Sequence, residues 1–198
     1  MKDEKKVILI FGKRGSGKSY LAQHLVRSEK RLVVYDTLGE FNQGVIFHDW
    51  FDMLRFWRAV YRRNFKIVYR PANPVAEFPA MADLVWQLGG CTFYVEEIDS
   101  FMSPYQIGPE FCNLIQRGRH KDITLIGVSQ RPFGINRLLT SQAKEIYVFN
   151  TNEPRDREYL RGLLGAEIEP LLDSLGQYEC LRWQDGQEKI ITTKAGSA

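Results

Sequence analysis

Residues 12–19 read Gly-Lys-Arg-Gly-Ser-Gly-Lys-Ser. The octet satisfies G-x-x-x-x-G-K-[ST] at every fixed position: Gly12, Gly17, Lys18 and Ser19. The run at 6–11, Lys-Val-Ile-Leu-Ile-Phe, reads as a buried strand. Behind the octet, Leu21, Ala22, Leu25 and Val26 fall at helical spacing, which predicts a helix over 18–29. A strand, a glycine-rich turn and a helix in that order commit the chain to an anion cradle. Glycines let the backbone turn its N–H groups toward one centre. The helix N-terminus adds its partial positive charge. The expected phosphate-binding run is Gly12, Lys13, Arg14, Gly15, Ser16, Gly17, Lys18, Ser19 and Tyr20. In it Lys18 reaches the β- and γ-phosphates of a nucleoside triphosphate, and the Ser19 hydroxyl holds Mg²⁺.

The rest of the chain alternates in the same sense, so the fold class is α/β with a mostly parallel sheet. Strands are predicted at 6–11, 31–36, 65–70, 91–97, 123–129 and 145–150, and helices at 18–29, 50–63, 74–88, 107–118 and 154–163. Segments 177–183 and 188–193, separated by Gln-Asp-Gly-Gln, read as an antiparallel edge hairpin around Asp185-Gly186. At 198 residues and 44% hydrophobic, the chain suits one domain with a sizeable core. We expect a motor core over about 5–150, with C-terminal helices and the hairpin over 151–193. The final Lys-Ala-Gly-Ser-Ala reads as an unstructured tail.

Charge and cysteine exclude several classes. A net charge of +3 permits a nucleic-acid partner without requiring one. Cys91, Cys112 and Cys180 form no C-x-x-C, which rules out a zinc knuckle and fits a reducing compartment. No apolar run approaches 18 residues, so no membrane span is expected, and the charged N-terminus is not a signal peptide. His24, His48 and His120 lack metal-ligand spacing, so no metal beyond magnesium is expected.

Three further features bear on chemistry. Cys91-Thr-Phe-Tyr-Val-Glu-Glu97 is an apolar strand ending in two carboxylates. Side chains alternate along a strand, so the two acids should serve different roles. Glu96 is assigned to Mg²⁺, directly or through water, and Glu97 to the attacking water as general base. Ile123–Ser129 is a strand followed by Gln130, whose amide can bond a γ-phosphate and a water together. Gln116-Arg-Gly-Arg-His-Lys121 ends a helix. Arg117 or Arg119 can serve there as a planar donor to a neighbour's phosphate, or simply as a solvated helix end.

Taken in order, Gly-Lys-Arg-Gly-Ser-Gly-Lys-Ser at 12–19, Phe-Tyr-Val-Glu-Glu at 93–97, Arg-Gly-Arg-His at 117–120 and Ser-Gln-Arg-Pro at 129–132 resemble the FtsK–HerA superfamily of DNA-pumping ATPases. The bare motor size looks most like the genome-packaging ATPases of icosahedral viruses with an internal membrane. The resemblance implies an additional-strand, RecA-like P-loop sheet with the Gln130 strand between the other two motif strands. It also implies ATP and Mg²⁺ at the subunit interfaces of a homo-oligomeric ring, a hexamer or pentamer, around sequence-independent double-stranded DNA. It implies a location in the host cytoplasm or at a capsid or membrane packaging vertex. Many relatives carry Asp-Glu where this chain has Glu96-Glu97, which favours a water-bridged metal contact. Some packaging motors use an arginine inside the phosphate loop in cis, which makes Arg14 a rival to Arg119.

DNA phosphate contacts are expected from Lys and Arg alone. Arg55, Arg58 and Arg62 share one face of the helix predicted over 50–63, opposite a core face of Phe51, Leu54, Trp57, Val60 and Tyr61. Arg131, Arg137 and Lys144 are alternative channel residues, and the 103–109 loop carries Tyr105 at its tip. Asp36 either orients a subunit contact, assists Mg²⁺ or caps a turn. Two rivals remain: another DNA-processing motor of the superfamily, and a nucleotide-dependent switch or small-molecule kinase. The guanine-reading Asn-Lys-x-Asp is absent.

Overall fold

A computed structural model of the protein describes residues 5–187 and 189–196. Strand β1 (Val7–Phe11) is followed by α1 (Lys18–Leu25), β2 (Arg31–Tyr35), β3 (Val45–Phe47), α2 (Trp50–Val60), β4 (Phe65–Tyr69) and α3 (Pro74–Leu88). Then come β5 (Thr92–Val95), α4 (Pro109–Arg117), β6 (Thr124–Ser129), α5 (Arg137–Ser141), β7 (Ala143–Phe149), α6 (Pro154–Leu164), α7 (Ile168–Asp173), β8 (Glu179–Gln184) and β9 (Ile191–Lys194).

The strands form one sheet in the order β3-β4-β2-β5-β6-β1-β7-β8-β9. Pairings from β3 across to β7 are parallel, and β8 and β9 are antiparallel. As the resemblance implied, β6 lies between β1 and β5. The ends of those three strands therefore meet on one edge of the sheet, where an α/β fold places its ligand crevice.

Alternation along the buried strands supplies two cores. Val7, Leu9 and Phe11 of β1 face a large aromatic-rich layer, whereas Ile8 and Ile10 face a smaller one beneath α1. The large layer centres on Phe78, stacked on Phe101 with ring centroids 4.0 Å apart and edge-on to Phe111 at 4.8 Å. Such pairs contribute roughly 0.5–1.5 kcal/mol each beyond their burial. Helix α3 keeps its predicted bounds because Asn73 caps Ala76 N–H at 3.2 Å and Pro74 opens the first turn.

Several expectations are corrected. Helix α2 stops at Val60, since Arg63 N–H bonds Val60 C=O at 2.7 Å and turns the chain into β4. Arg62 and Arg63 therefore lie beyond the helix, and Arg62 does not extend a stripe with Arg55 and Arg58. Phe51 is 71% exposed rather than core. The buried stripe is Trp50, Met53, Leu54 and Trp57, which keeps the i, i+3, i+4, i+7 spacing. β3 was not anticipated, because Val45 and Ile46 are exposed on an edge and show no burial pattern. The short helices α5 and α7 were also missed. In the C-terminal hairpin, Gly186 takes φ 80° at the turn and β9 begins only at Ile191; Glu188 lies outside the described residues. The supposed tail is partly docked: Lys194 ends β9, and Ala195 N–H bonds Tyr178 C=O at 3.0 Å. Ser197 and Ala198 lie outside the described residues.

Cys91 and Cys180 are buried, and burial pushes both thiols up to about 12; Cys112 on α4 is half-buried. Among the described residues no helix is long and apolar enough to cross a membrane.

Candidate nucleotide site

β1 delivers the phosphate loop to the sheet edge, and Gly12 N–H anchors it to Ser129 C=O at 3.3 Å. Two positions require glycine. A Cβ on Gly12 would fall 2.6 Å from Phe149 Cβ, and Gly17 opens α1 at φ 105°, in the left-handed region. Lys18 is buried, and its Nζ donates to Lys13 C=O at 2.9 Å across the loop. Burial lowers its pKa, against the opposing pull of Asp99, Glu40, Glu96 and Glu97. The Ser16 hydroxyl oxygen is buried with no partner among the described residues.

β5 ends at Val95, so neither Glu96 nor Glu97 belongs to the strand. The two carboxylates diverge for a different reason than strand alternation. Glu97 adopts φ 48°, ψ 47°, a left-handed conformation uncommon outside glycine, and opens a 3-10 turn over Ile98–Phe101. Glu96 stays buried, and its Oε1 accepts from Tyr94 Oη at 2.8 Å. Its Oε2 has no partner among the described residues. Burial, with Asp36 and Glu40 adding like charge, outweighs the Tyr94 bond and pushes Glu96 up to about 7. Gln130, just past β6, donates from Nε2 to Glu97 Oε1 at 3.3 Å. The turn after Gln130 is fixed by Asp156 of α6, whose Oδ1 accepts from Phe133 N–H at 3.2 Å.

These groups line one cleft of about 550 Å³, which also takes in Arg14, Ser19, Tyr20, Leu38, Glu40 and Tyr178. Four carboxylates lie around buried Lys18. A triphosphate entering such a field needs cations with it. The orphaned, buried Glu96 Oε2 beside Lys18 fits a cation, directly or through water. Magnesium sites of this kind use few protein ligands and complete the shell with phosphate oxygens and water. Accordingly, no preformed cluster of three acidic, His or Cys ligands exists among the described residues.

The arginines separate by sheet edge. Arg14 is exposed on the rim of the cleft. Arg117 and Arg119 are exposed at the opposite edge, ahead of β6, where Arg119 lies near Lys5, Lys6 and Lys144. The length of β1, about 15 Å of strand, lies between them and their own phosphate loop. Arg131 is exposed beside Gln130, and Arg137 lines a separate cavity of about 580 Å³ with Arg155 and Tyr159. Arg55 pairs with Asp52 on α2, at the far β3–β4 side. Lys144 pairs with Asp185. Tyr105 is 93% exposed on a loop closed by the Met102–Ile107 bridge and held by Asn136 Nδ2 on the Ser103 and Pro104 carbonyls.

Asp36 is a turn cap. Its buried carboxylate accepts from the N–H groups of Gly39 (2.8 Å), Glu40 (3.2 Å) and Phe41 (3.3 Å) and from Arg70 Nε at 2.8 Å. By pinning that loop it sets Glu40 at the cleft. Glu40, Asp99 and Tyr178 were not singled out from the sequence. Glu40 and Tyr178 reach the cleft, and Asp99 the field of Lys18, through turns that leave no periodic trace.

No family model matches the sequence. The chain is 27% identical over 184 residues to the DNA packaging ATPase P9 of Enterobacteria phage PRD1, covering 88% of this chain and 77% of that protein. The sequence relative of this chain is thus a viral DNA-packaging ATPase. Among solved structures, the genome packaging NTPase B204 from Sulfolobus turreted icosahedral virus 2, in complex with AMPPCP, superposes with TM-score 0.78 at 20% identity. That match covers 97% of this chain and 98% of the other. VirB4 of Thermoanaerobacter pseudethanolicus gives TM-score 0.69 at 13% identity, over 96% and 89% of the two chains. At these identities the structural likeness shows the fold, a mostly parallel P-loop α/β sheet.

Proposed function

We propose that this chain is a Mg²⁺-dependent ATPase that drives double-stranded genome DNA into a viral capsid. The observation that carries the reading is the single cleft joining the phosphate loop, Glu96, Glu97 and Gln130, in a chain whose sequence relative is a packaging ATPase. Lys18 leaves its Lys13 carbonyl to hold the β- and γ-phosphates, and Ser16 and the loop N–H groups bind their oxygens. Ser19 and Glu96 would hold the magnesium ion, which supplies charge neutralisation on the phosphates. Glu97 accepts the proton of the attacking water, and Gln130, already bonded to Glu97, orients both water and γ-phosphate.

Arg117 and Arg119, at the edge away from their own cleft, complete the site of a neighbouring subunit. A head-to-tail contact of this kind closes into a ring, a hexamer or pentamer. Arg14 is the rival donor in cis. Arg131 and Arg137 contact DNA phosphates in the channel, with Arg55, Arg58 and Arg62 as weaker candidates, so no base sequence is read. The assembly works in the host cytoplasm or at a capsid or membrane packaging vertex.

The test is steady-state ATP hydrolysis against protein concentration, with and without duplex DNA, and Glu97→Gln as control. Turnover per subunit that rises with concentration and DNA, and vanishes in the variant, supports the motor. Turnover indifferent to both sinks it in favour of a nucleotide switch or small-molecule kinase.

A further inference from the structure

The cleft is lopsided. Its carboxylates and Gln130 come from the ends of β5 and β6 and from the turn after the neighbouring β2, on one side of the phosphate loop. On the other side stand β7 and β8. β8 runs antiparallel and pairs Cys180 with Phe149, the last residue of β7, so the residue before β8 returns to the phosphate-loop edge. That residue is Tyr178. It is held at φ 61°, its carbonyl accepts the Ala195 N–H that ends the hairpin, and its ring stands 53% exposed in the cleft. Tyr178 Cδ1 lies 3.3 Å from where a Cβ on Gly17 would sit, so the ring covers the entry to α1. Tyr20, in the first turn of α1, adds a second ring, 63% exposed, lining the same cleft.

Among the described residues neither ring belongs to a core cluster or makes an aromatic pair, although large apolar groups normally find cover. Four strand spacings separate β5 from β8, about 19 Å. A triphosphate whose γ end meets Glu97 and Gln130 extends its ribose and base in the other direction, over Gly17 and toward these rings. Resting on the nucleotide reading above, we infer that Tyr178, together with Tyr20, forms the base subsite and holds a purine nucleotide by stacking. Stacking engages the face of a base, which every purine offers. The subsite therefore supplies affinity without choosing between adenine and guanine nucleotides. It also makes the C-terminal hairpin part of the nucleotide site, since the motor core alone would lack Tyr178.

Equilibrium binding of ribose-labelled fluorescent ADP and GDP to the full chain, without DNA, tests this. Competition by inorganic tripolyphosphate reports the phosphate loop separately. Tyr178→Ala is expected to weaken both labelled nucleotides about tenfold, Tyr178→Phe by less than about twofold, and tripolyphosphate competition not at all. Unchanged nucleotide binding in Tyr178→Ala overturns the inference. So does a parallel loss of tripolyphosphate affinity, or a Tyr178→Phe loss as large as that of Tyr178→Ala. If Tyr178→Ala does not fold, photolabelling of the unaltered chain with 8-azido-ATP decides. Label on the peptides bearing Tyr178 or Tyr20 supports the subsite, and label elsewhere overturns it. Failure of the unaltered chain to bind any nucleotide overturns the functional reading itself, a distinct outcome.

Discussion

Where β1, β5 and β6 finish, Glu40, Glu96, Glu97 and Asp99 gather around one buried lysine. Where β1 and β6 begin, Lys5, Lys6, Arg119 and Lys144 collect. The buried anion nearest that second group is Glu145, bonded to Lys6, to Tyr147 at 2.9 Å and to Arg182 at 3.2 Å. Burial alone would raise the Glu145 carboxyl, but Lys6 and Arg182 outweigh it and hold it low. One edge thus gathers carboxylates around the phosphate-loop lysine, and the other gathers basic side chains. The same strands that bring the cleft residues together hold the two edges apart within the chain. The proposed head-to-tail contact would bring the two edges together between subunits.

The sharpest way to break this comparison is to remove the basic partner. Arg119→Ala should lower turnover of assembled protein by about 10³-fold, with Arg14→Ala costing far less. Mixing Arg119→Ala with Glu97→Gln subunits should recover part of the activity, because some interfaces combine an intact residue from each. Loss in Arg14→Ala alone, with no recovery on mixing, would assign the role to the cis residue. On the acidic edge, Glu97→Gln should cut turnover by about 10²–10⁴-fold while labelled-nucleotide affinity holds, since a general base acts only in the transition state.

A smaller effect concerns stability. The folded protein keeps a proton on Glu96 up to about pH 7, whereas the carboxyl loses it near 4.5 when unfolded. Stability of the nucleotide-free protein should therefore fall as pH rises from about 4.5 to about 7 and remain lower above that. Glu96→Gln removes the burden. Its Tm at pH 8 should exceed that of the parent by a few degrees, and the gain should disappear near pH 5. An equal gain at both pH values would mean that burial of Glu96 carries no charge cost. The smallest expected change separates the arginines. Arg131→Ala should lower the salt slope of DNA-stimulated hydrolysis by about one unit. Arg55→Ala, which removes only an exposed pair with Asp52, should leave it unchanged.

Some of this was readable from residue order alone. The octet at 12–19 shows itself because its chemistry needs contiguous residues and its neighbours carry clean periodicities. The place of β6 between β1 and β5 was legible only through the resemblance, since spacing says nothing about sheet order. Glu97 was read as one step further along a strand, yet its left-handed backbone is fixed by the turn that follows, a tertiary constraint. Phe51 was placed in the core on hydrophobicity, but the helix phase is set by the deeper contacts of Trp57 and Met53. Tyr178 was taken into a strand and lies one residue ahead of it, where only the β7–β8 register shows which cleft it reaches.

The cysteines have a practical consequence. Cys91 and Cys180 are enclosed and stay protonated at neutral pH, which leaves Cys112 as the thiol within reach of a mild alkylating reagent. Cys112 lies on α4, the helix that ends at Arg117. The unaltered sequence therefore carries a built-in attachment point for a fluorophore or spin label on the helix that leads to the basic edge. The proposed contact between subunits can be tested there without engineering a cysteine-free background.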